Sequence, residues 1–430
     1  MKLGGRISAA IEVLQDIETR RRPATDALKD WGLSHRFAGS GDRAAVGNLV
    51  FDCLRWRASN AWRMDSEEAR SAVLGCLGHR WRMPADDLDR AFADDRHAPE
   101  ALTEDEREHL QSDRLVEAPG WVAADVPEWT EPAFQEAFED DYVVEGEALA
   151  ERPPVDLRAN TLKADRDKVL KALSGFDVEK TATAPFGLRI KPPAGFKRAA
   201  NVQSEAGYRK GWFEIQDEGS QIAGTLVGAQ PGEQILDYCA GGGGKTLTMA
   251  MAMGNRGQIH AYDSDKRRLA PIYERLQRAG ARNVTVHDPR SGLPEALKGR
   301  IDRVVIDAPC TGSGVWRRRP DAKWRLSENA LADRLKEQAE ILDTASEFVR
   351  PGGYLCYITC SLFPGENEAQ IAAFLERSTD FELLSAGEVW QDLIGYDKRQ
   401  PWTTDYCSIT MTPASTDTDG FYFAVVGKAA

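Results

Sequence analysis

The chain has 430 residues, of which 29% are charged, with a formal net charge of −13 and seven cysteines. A single core commonly stops growing at about 250 residues, so two or three domains are expected without disulfide support. No apolar run approaches the roughly 18 residues of a membrane span, no CxxC pair suggests a zinc knuckle, and the opening MKLGGRISAAIEVLQDIETR lacks a secretory pattern. The expectation is a soluble, cytoplasmic monomer with reduced thiols, no membrane contact and no metal.

Along the first eighty or so residues, Val46, Leu49, Val50, Cys53 and Leu54 recur at i, i+3, i+4, i+7 and i+8 spacing, which predicts a helical bundle. From Asp86 to Glu151 there are 22 acidic and 4 basic residues, which leaves the rest of the chain at +5. Net acidity opposes polyanion binding, but here it belongs to one segment, read as a solvated surface cut by Pro119, Pro127 and Pro132. Residues 1–150 are thus one helical domain with an acidic C-terminal part, and Pro153–Pro154 marks a linker.

VDLRANTL then reads as a strand, DRDKVLKALSGF as a helix ending near Gly175, and GLRIK as a strand, a small α/β unit over 151–210. From Gly211 to the end at 430, apolar strands ILDYC, QIHAYD, VTVHD, RVVIDAP and GYLCYITC alternate with helical stretches. That alternation predicts an α/β fold with a parallel, doubly wound sheet. Ligands of such sheets bind at the carboxyl ends of the strands.

At the first of these ends the chain reads Cys239, Ala240, Gly241, Gly242, Gly243, Gly244, Lys245, Thr246. A Walker A loop would need glycine where Cys239 stands, and Lys245 and Thr246 break the dinucleotide fingerprint. S-adenosylmethionine is the other candidate, since it needs close backbone approach and acidic groups. Asp237, Asp263 and Asp288 stand at three successive strand ends, with Asp263 placed to accept the ribose hydroxyls. Lys245 is open to either reading, a ligand contact or a first-turn helix residue.

Two cysteines then present themselves as nucleophiles: Cys310 in DAPCTGSG and Cys360 in YITCSLFPGEN. Behind the first lies GSGVWRRRPDAKWR, where Arg317, Arg318 and Arg319 beside Trp316 combine charge and stacking surface suited to single-stranded RNA.

LDYCAGGGGKT, AYDSDKRRL, RVVIDAPCTGSGVWRRRPDAKW and YITCSLFPGENEAQI resemble the successive motifs of RNA cytosine-5 methyltransferases of the RsmB/NSUN (Fmu, Nol1/Nop2/Sun) family. NVQSEAGYRKGWFEIQDEGSQIAG is similar to the segment leading into that family's catalytic domain. The unit beginning LRANTL resembles its RRM-like part, and SGDRAAVGNLVFDCLRWR resembles the NusB-like domain of its 16S rRNA branch. The resemblance implies a Rossmann-like S-adenosylmethionine-dependent methyltransferase domain behind RRM-like and NusB-like parts. It implies transfer to C5 of a cytosine in RNA, with 16S rRNA expected and tRNA or DNA as alternatives. A non-catalytic RNA-binding assembly factor is the competing class, and a nucleoside triphosphatase the third.

Cytosine C5 is a poor nucleophile, so a thiolate must first add at C6. DNA cytosine-5 methyltransferases use a Pro-Cys thiol, which would select Cys310. The RNA family uses the TCS cysteine, which implies Cys360 as nucleophile and Cys310 as the residue that promotes release. Asp307, at a strand end before Pro309, is expected to contact N3 of the base, its carboxyl kept neutral by burial. Gly241 and Gly242 replace the family's Ala-Pro, which predicts a looser loop and weaker cofactor affinity.

Overall fold

A computed structural model describes all residues, 1–430. The chain forms two units, each discontinuous in sequence. One comprises Met1–Arg152, Pro192–Ala199 and Trp316–Leu326, the other Pro153–Lys191, Ala200–Val315 and Ser327–Ala430. No helix is long and apolar enough to cross a membrane.

The first unit is helical. Leu3–Arg20 buries Ile7, Ala10, Val13, Leu14 and Ile17, and Ser40–Arg55 buries the Val46, Leu49, Val50, Cys53 and Leu54 stripe. Three-to-four spacing puts each set on one face. The first helix stops where Arg21 turns left-handed, at φ 47°, two residues before Pro23. The acidic segment folds as well: Leu88, Phe92, Val122, Phe134, Phe138 and Leu149 are buried. Its carboxylates point mostly outward, but Asp125 is interior and accepts from Ser59 N at 3.0 Å and Ser59 Oγ at 2.6 Å.

Trp316–Leu326 belongs to this helical unit, which corrects the expectation that the Arg-rich run is a surface of the catalytic domain. Helix Ser40–Arg55 ends with carbonyls that lack intrahelical donors. Lys323 Nζ donates to the Arg55 carbonyl at 2.7 Å and to the Asp125 carbonyl at 2.6 Å, and Trp324 Nε1 donates to the Leu54 carbonyl at 2.6 Å. Arg55 in turn donates to the Arg317 carbonyl at 2.9 and 3.2 Å. Trp316 stacks on Phe134, with centroids 5.9 Å apart.

The second unit holds two sheets. Strands β1 (Val155–Ala159), β2 (Val178–Lys180), β3 (Gly187–Ile190) and β4 (Phe213–Ile215) pair antiparallel in the order β2-β3-β1-β4. β4 lies past the expected boundary at 210, because the pairing of Leu157 with Ile215 and the buried Phe213 complete the small sheet.

The larger sheet contains β5 (Gln234–Asp237), β6 (Gln258–Ala261), β7 (Val284–Val286), β8 (Ile301–Asp307), β9 (Val349–Thr359), β10 (Phe381–Leu383), β11 (Ser408–Met411) and β12 (Phe421–Lys428). The order is β10-β12-β9-β8-β5-β6-β7, with β11 on β12. β9 through β7 run parallel, as in a doubly wound Rossmann-like sheet, but β12 is antiparallel to β9, β10 and β11. The sheet is therefore mixed rather than wholly parallel. β11 and β12 are joined by a short loop, and only antiparallel strands close that way.

Consecutive residues of the central strands point to opposite faces. Ile235, Val305 and Cys356 pack with Ile222, Leu226 and Met249 on one side, while Leu236, Val304 and Leu355 pack with Leu342, Ala345 and Phe374 on the other. Burial on both faces explains why these strands read as continuous apolar runs. The chain leaves β5 toward β6 and β7, then returns to β8 on β5's other side. That reversal opens a crevice at the carboxyl ends of β5 and β8.

Candidate active site

The glycine loop follows β5 and feeds helix Gly244–Ala252. Gly243 sits at φ 80°, and a Cβ there would lie 2.5 Å from Ile272 Cγ1, so only glycine fits. Gly241, at φ 48°, donates its N–H to Asp263 Oδ2 at 3.0 Å. Ala240 N–H donates to the Tyr262 carbonyl at 2.8 Å, and Arg275 Nη1 donates to the Gly242 carbonyl at 2.6 Å while it pairs with Glu214 at 3.2 Å. The Arg275 brace opposes the looseness expected from the missing proline. Cys239 is buried beneath the loop, and burial pushes its thiol well above the usual range.

Three of the expected carboxyl groups converge. Asp237 accepts from Thr246 Oγ1 at 2.6 Å, and burial pushes it up to about 7, with the charges of Asp307 and Asp263 adding to the rise. Asp263 also accepts from Asp265 N at 2.9 Å and lies 3.7 Å from Arg268 Nη2. Asp307 pairs with Lys245 Nζ at 2.7 Å, and its side chain is 35% exposed. The burial expected there is thus corrected: a cation and partial exposure, not a dry pocket, set the surroundings of Asp307. Lys245 is itself buried, over the Phe421 ring at 5.0 Å.

Asp288 does not join this group. It lies two residues past β7 and accepts from Arg290 N and Arg290 Nη2, both at 3.0 Å. That local pair holds its carboxyl down to about 2.

These surroundings discriminate between cofactors. A triphosphate would meet Asp263 and Asp307 beside a lysine already committed to Asp307. A sulfonium cation and a ribose diol suit the same groups, with Gly241, Gly242 and Gly244 partly open beside them.

Cys310 and Cys360 follow adjacent parallel strands at the same end of the sheet, and their Sγ atoms are 3.4 Å apart. Ala308 N–H donates to the Ile358 carbonyl at 2.8 Å, and Gly314 N–H donates to the Cys360 carbonyl at 3.0 Å. Both thiols are half-buried. The hydrogen bond to Cys360, then burial, then the charges of Cys360 and Glu366, raise the Cys310 thiol well above its usual range.

Beneath the thiols lies a carboxylate absent from the sequence-based site. Glu366, fully buried, accepts from Thr311 N and Gln338 Nε2 on Oε1, both at 2.9 Å. Its Oε2 accepts from the hydroxyls of Thr311 and Ser361, both at 2.5 Å. Gln338 also donates to the Pro309 carbonyl at 3.0 Å.

The family model for 16S rRNA methyltransferase RsmB/F matches residues 225–426, and the model for its ferredoxin-like domain matches residues 126–197. The chain belongs to the RsmB/F methyltransferase family. Similar curated proteins include ribosomal RNA small subunit methyltransferase B of Enterobacter sp. (strain 638), 34% identical over 305 residues, and that of Cronobacter sakazakii, 35% identical. Each match covers 70% of this chain and 66% of the relative. Among solved structures, PH0851 superposes over 100% of both chains with a TM-score of 0.73 at 23% identity. A methyltransferase homolog from Pyrococcus horikoshii covers 72% of this chain and 97% of its own, with a TM-score of 0.59 at 26% identity.

In this RsmB/F-family chain the expected RNA-facing run divides. Trp316 and Arg317 are buried, Arg318 is half-buried, and Arg319 is exposed. The reading of Trp316 as a stacking surface and Arg317 as a phosphate ligand is corrected, since both lie in a packed interior. Sequence reasoning also missed Glu366, Gln338 and the Lys245–Asp307 pair. A signal for Glu366 was present, since GEN follows the TCS turn in the motif, but nothing in one dimension shows that its carboxylate reaches Thr311.

Proposed function

We propose that the chain methylates C5 of a cytosine in RNA through a covalent Cys360–C6 adduct, with small-subunit ribosomal RNA as substrate. The observation that carries this reading is the pair of thiols 3.4 Å apart at the ends of β8 and β9. S-adenosylmethionine, when bound, supplies the electrophilic methyl group.

Asp263 and the Gly241–Gly244 backbone would hold that cofactor, at the crevice where open α/β sheets bind ligands. The Cys360 thiolate attacks C6 and gives C5 the electron density it lacks. Cys310 keeps its proton, so its S–H hydrogen-bonds the Cys360 sulfur, steadying the thiolate before attack and again as it leaves. Asp307, paired with Lys245 at 2.7 Å, would hydrogen-bond the cytosine edge. After C5 gains the methyl group its proton passes to water, the C5–H electrons restore the C5=C6 bond, the C6–S bond breaks, and Cys360 departs as thiolate. The cytosine must be unstacked for this, so the substrate is single-stranded or flipped. The names of relatives at 34–35% identity support ribosomal RNA as the partner.

The test is methyl transfer from labelled cofactor to RNA. Cys310→Ala should accumulate a covalent RNA complex, and Cys360→Ala should form neither complex nor product. A complex that forms with Cys360→Ala assigns the attack to Cys310. No transfer at saturating cofactor favours an RNA-binding assembly factor, and nucleotide hydrolysis lost in Lys245→Ala favours a triphosphatase.

A further inference from the structure

We infer that Glu366 is a positioning residue that locks the two cysteine loops in register. The inference rests on the reading of Cys310 and Cys360 as the reacting pair. The residue immediately after each cysteine, Thr311 or Ser361, donates to the same buried carboxylate. Gln338, from helix Glu328–Ser346, bonds both Glu366 and the Pro309 carbonyl, so Cys310 is held on its two sides. Glu366 is itself pinned, because the Tyr357 hydroxyl donates to its carbonyl at 2.8 Å from within β9.

All the donors on the carboxylate are neutral. An ionised acceptor makes hydrogen bonds roughly twice as strong as neutral ones, and a buried charge stays tolerable only while every lone pair is used. Shifting either loop breaks bonds to a charge that water does not reach. The energetic penalty therefore falls on any change in the spacing of the two sulfur atoms, which Glu366 does not touch. The carboxylate's charge also lies on the Cys310 side and favours the protonated form of that thiol.

Glu366→Gln and Glu366→Ala separate geometry from charge. In Glu366→Gln the amide oxygen can still accept from Thr311 N and Gln338, and its NH2 can donate to the two hydroxyls, which then act as acceptors. Loop register should survive and the charge is lost. Glu366→Ala leaves the donors without an acceptor.

The readout is the rate at which diamide closes a Cys310–Cys360 disulfide in the full-length chain, without RNA or cofactor, followed by peptide mapping. Two thiols lose two protons and two electrons, and diamide takes them up to become the hydrazine. The wild-type chain and Glu366→Gln should cross-link within about threefold of each other, and Glu366→Ala about tenfold or more slowly. If Glu366→Ala proves unfolded, Glu366→Asp, whose shorter carboxylate reaches only one loop, replaces it with the same expectation.

In methyl transfer, Glu366→Ala should lower kcat with little change in KM for RNA, and Glu366→Gln should move the thiol limb of the pH–rate profile to lower pH. Wild-type cross-linking in both Glu366→Ala and Glu366→Asp overturns the inference. Because cross-linking needs no methyl transfer, an inactive wild-type chain with the expected cross-linking pattern would refute the proposed reaction and leave the clamp standing.

Discussion

DAPCTGSGV and the WRRRPDAKWRL that follows it are continuous in the chain, and the two stretches use their polar groups in opposite ways. In the first, loop amides and hydroxyls are satisfied by the neighbouring strand and by Glu366, which leaves the Cys310 thiol and the Asp307 carboxylate at a crevice. In the second, the side chains themselves serve the fold: Lys323 and Trp324 cap the end of helix Ser40–Arg55, and Trp316 fills a core. A cationic run beside a reactive residue is therefore not automatically a substrate surface. What decides is whether its donors have already been claimed by carbonyls that a helix end left open.

The contrast can be broken by substitution, and the largest effect should come from the core. Trp316→Ala should destabilise the helical unit by about 3–5 kcal/mol, the usual cost of deleting a buried aromatic, read by denaturant melts. A loss of RNA affinity with unchanged stability would restore Trp316 to the substrate surface.

Lys323→Met should cost about 1–3 kcal/mol, since two buried carbonyls lose their donor. Its pH dependence has a definite sign. Burial lowers Lys323 from 10.5 to about 7. Between those values the unfolded chain binds the proton that the folded chain has released, so folded-state stability rises with pH. Below about 7 both states are protonated and the slope vanishes. The advantage of wild type over Lys323→Met in melting temperature should therefore grow from pH 7 toward pH 10, and a flat difference would place the ammonium in solvent.

Arg319→Ala sharpens the comparison from the other side. Arg319 is exposed, so stability should stay within about 0.5 kcal/mol of wild type. Any effect should appear in RNA affinity, with the salt dependence of binding reduced by about one phosphate contact. A large stability loss would show that the whole run is structural.

Much of the catalytic unit was legible in the sequence. The apolar strands, the glycine turn and the two cysteine turns carry local signals: β-branched runs, positions that demand positive φ, and residues that end a strand. The parallel order of β9 through β7 followed from the alternation of strands and helices, while the antiparallel seating of β12 did not, since strand pairing is a long-range choice. The 210 boundary failed for the same reason: β4 pairs with β1 across more than fifty residues of chain, as the partnership of Leu157 with Ile215 shows.

By itself, the sequence determined which chemistry-bearing residues exist and which strand end each one follows, because periodicity and turn chemistry act over a few neighbours. Tertiary structure decided what those residues touch. It paired Lys245 with Asp307, drew Trp316 into the helical unit, and set Glu366 between Thr311 and Ser361. Those outcomes depend on burial and on which distant ring, hydroxyl or charge comes into contact, within about 3 Å for the polar pairs, and such distances exist only once the chain has folded.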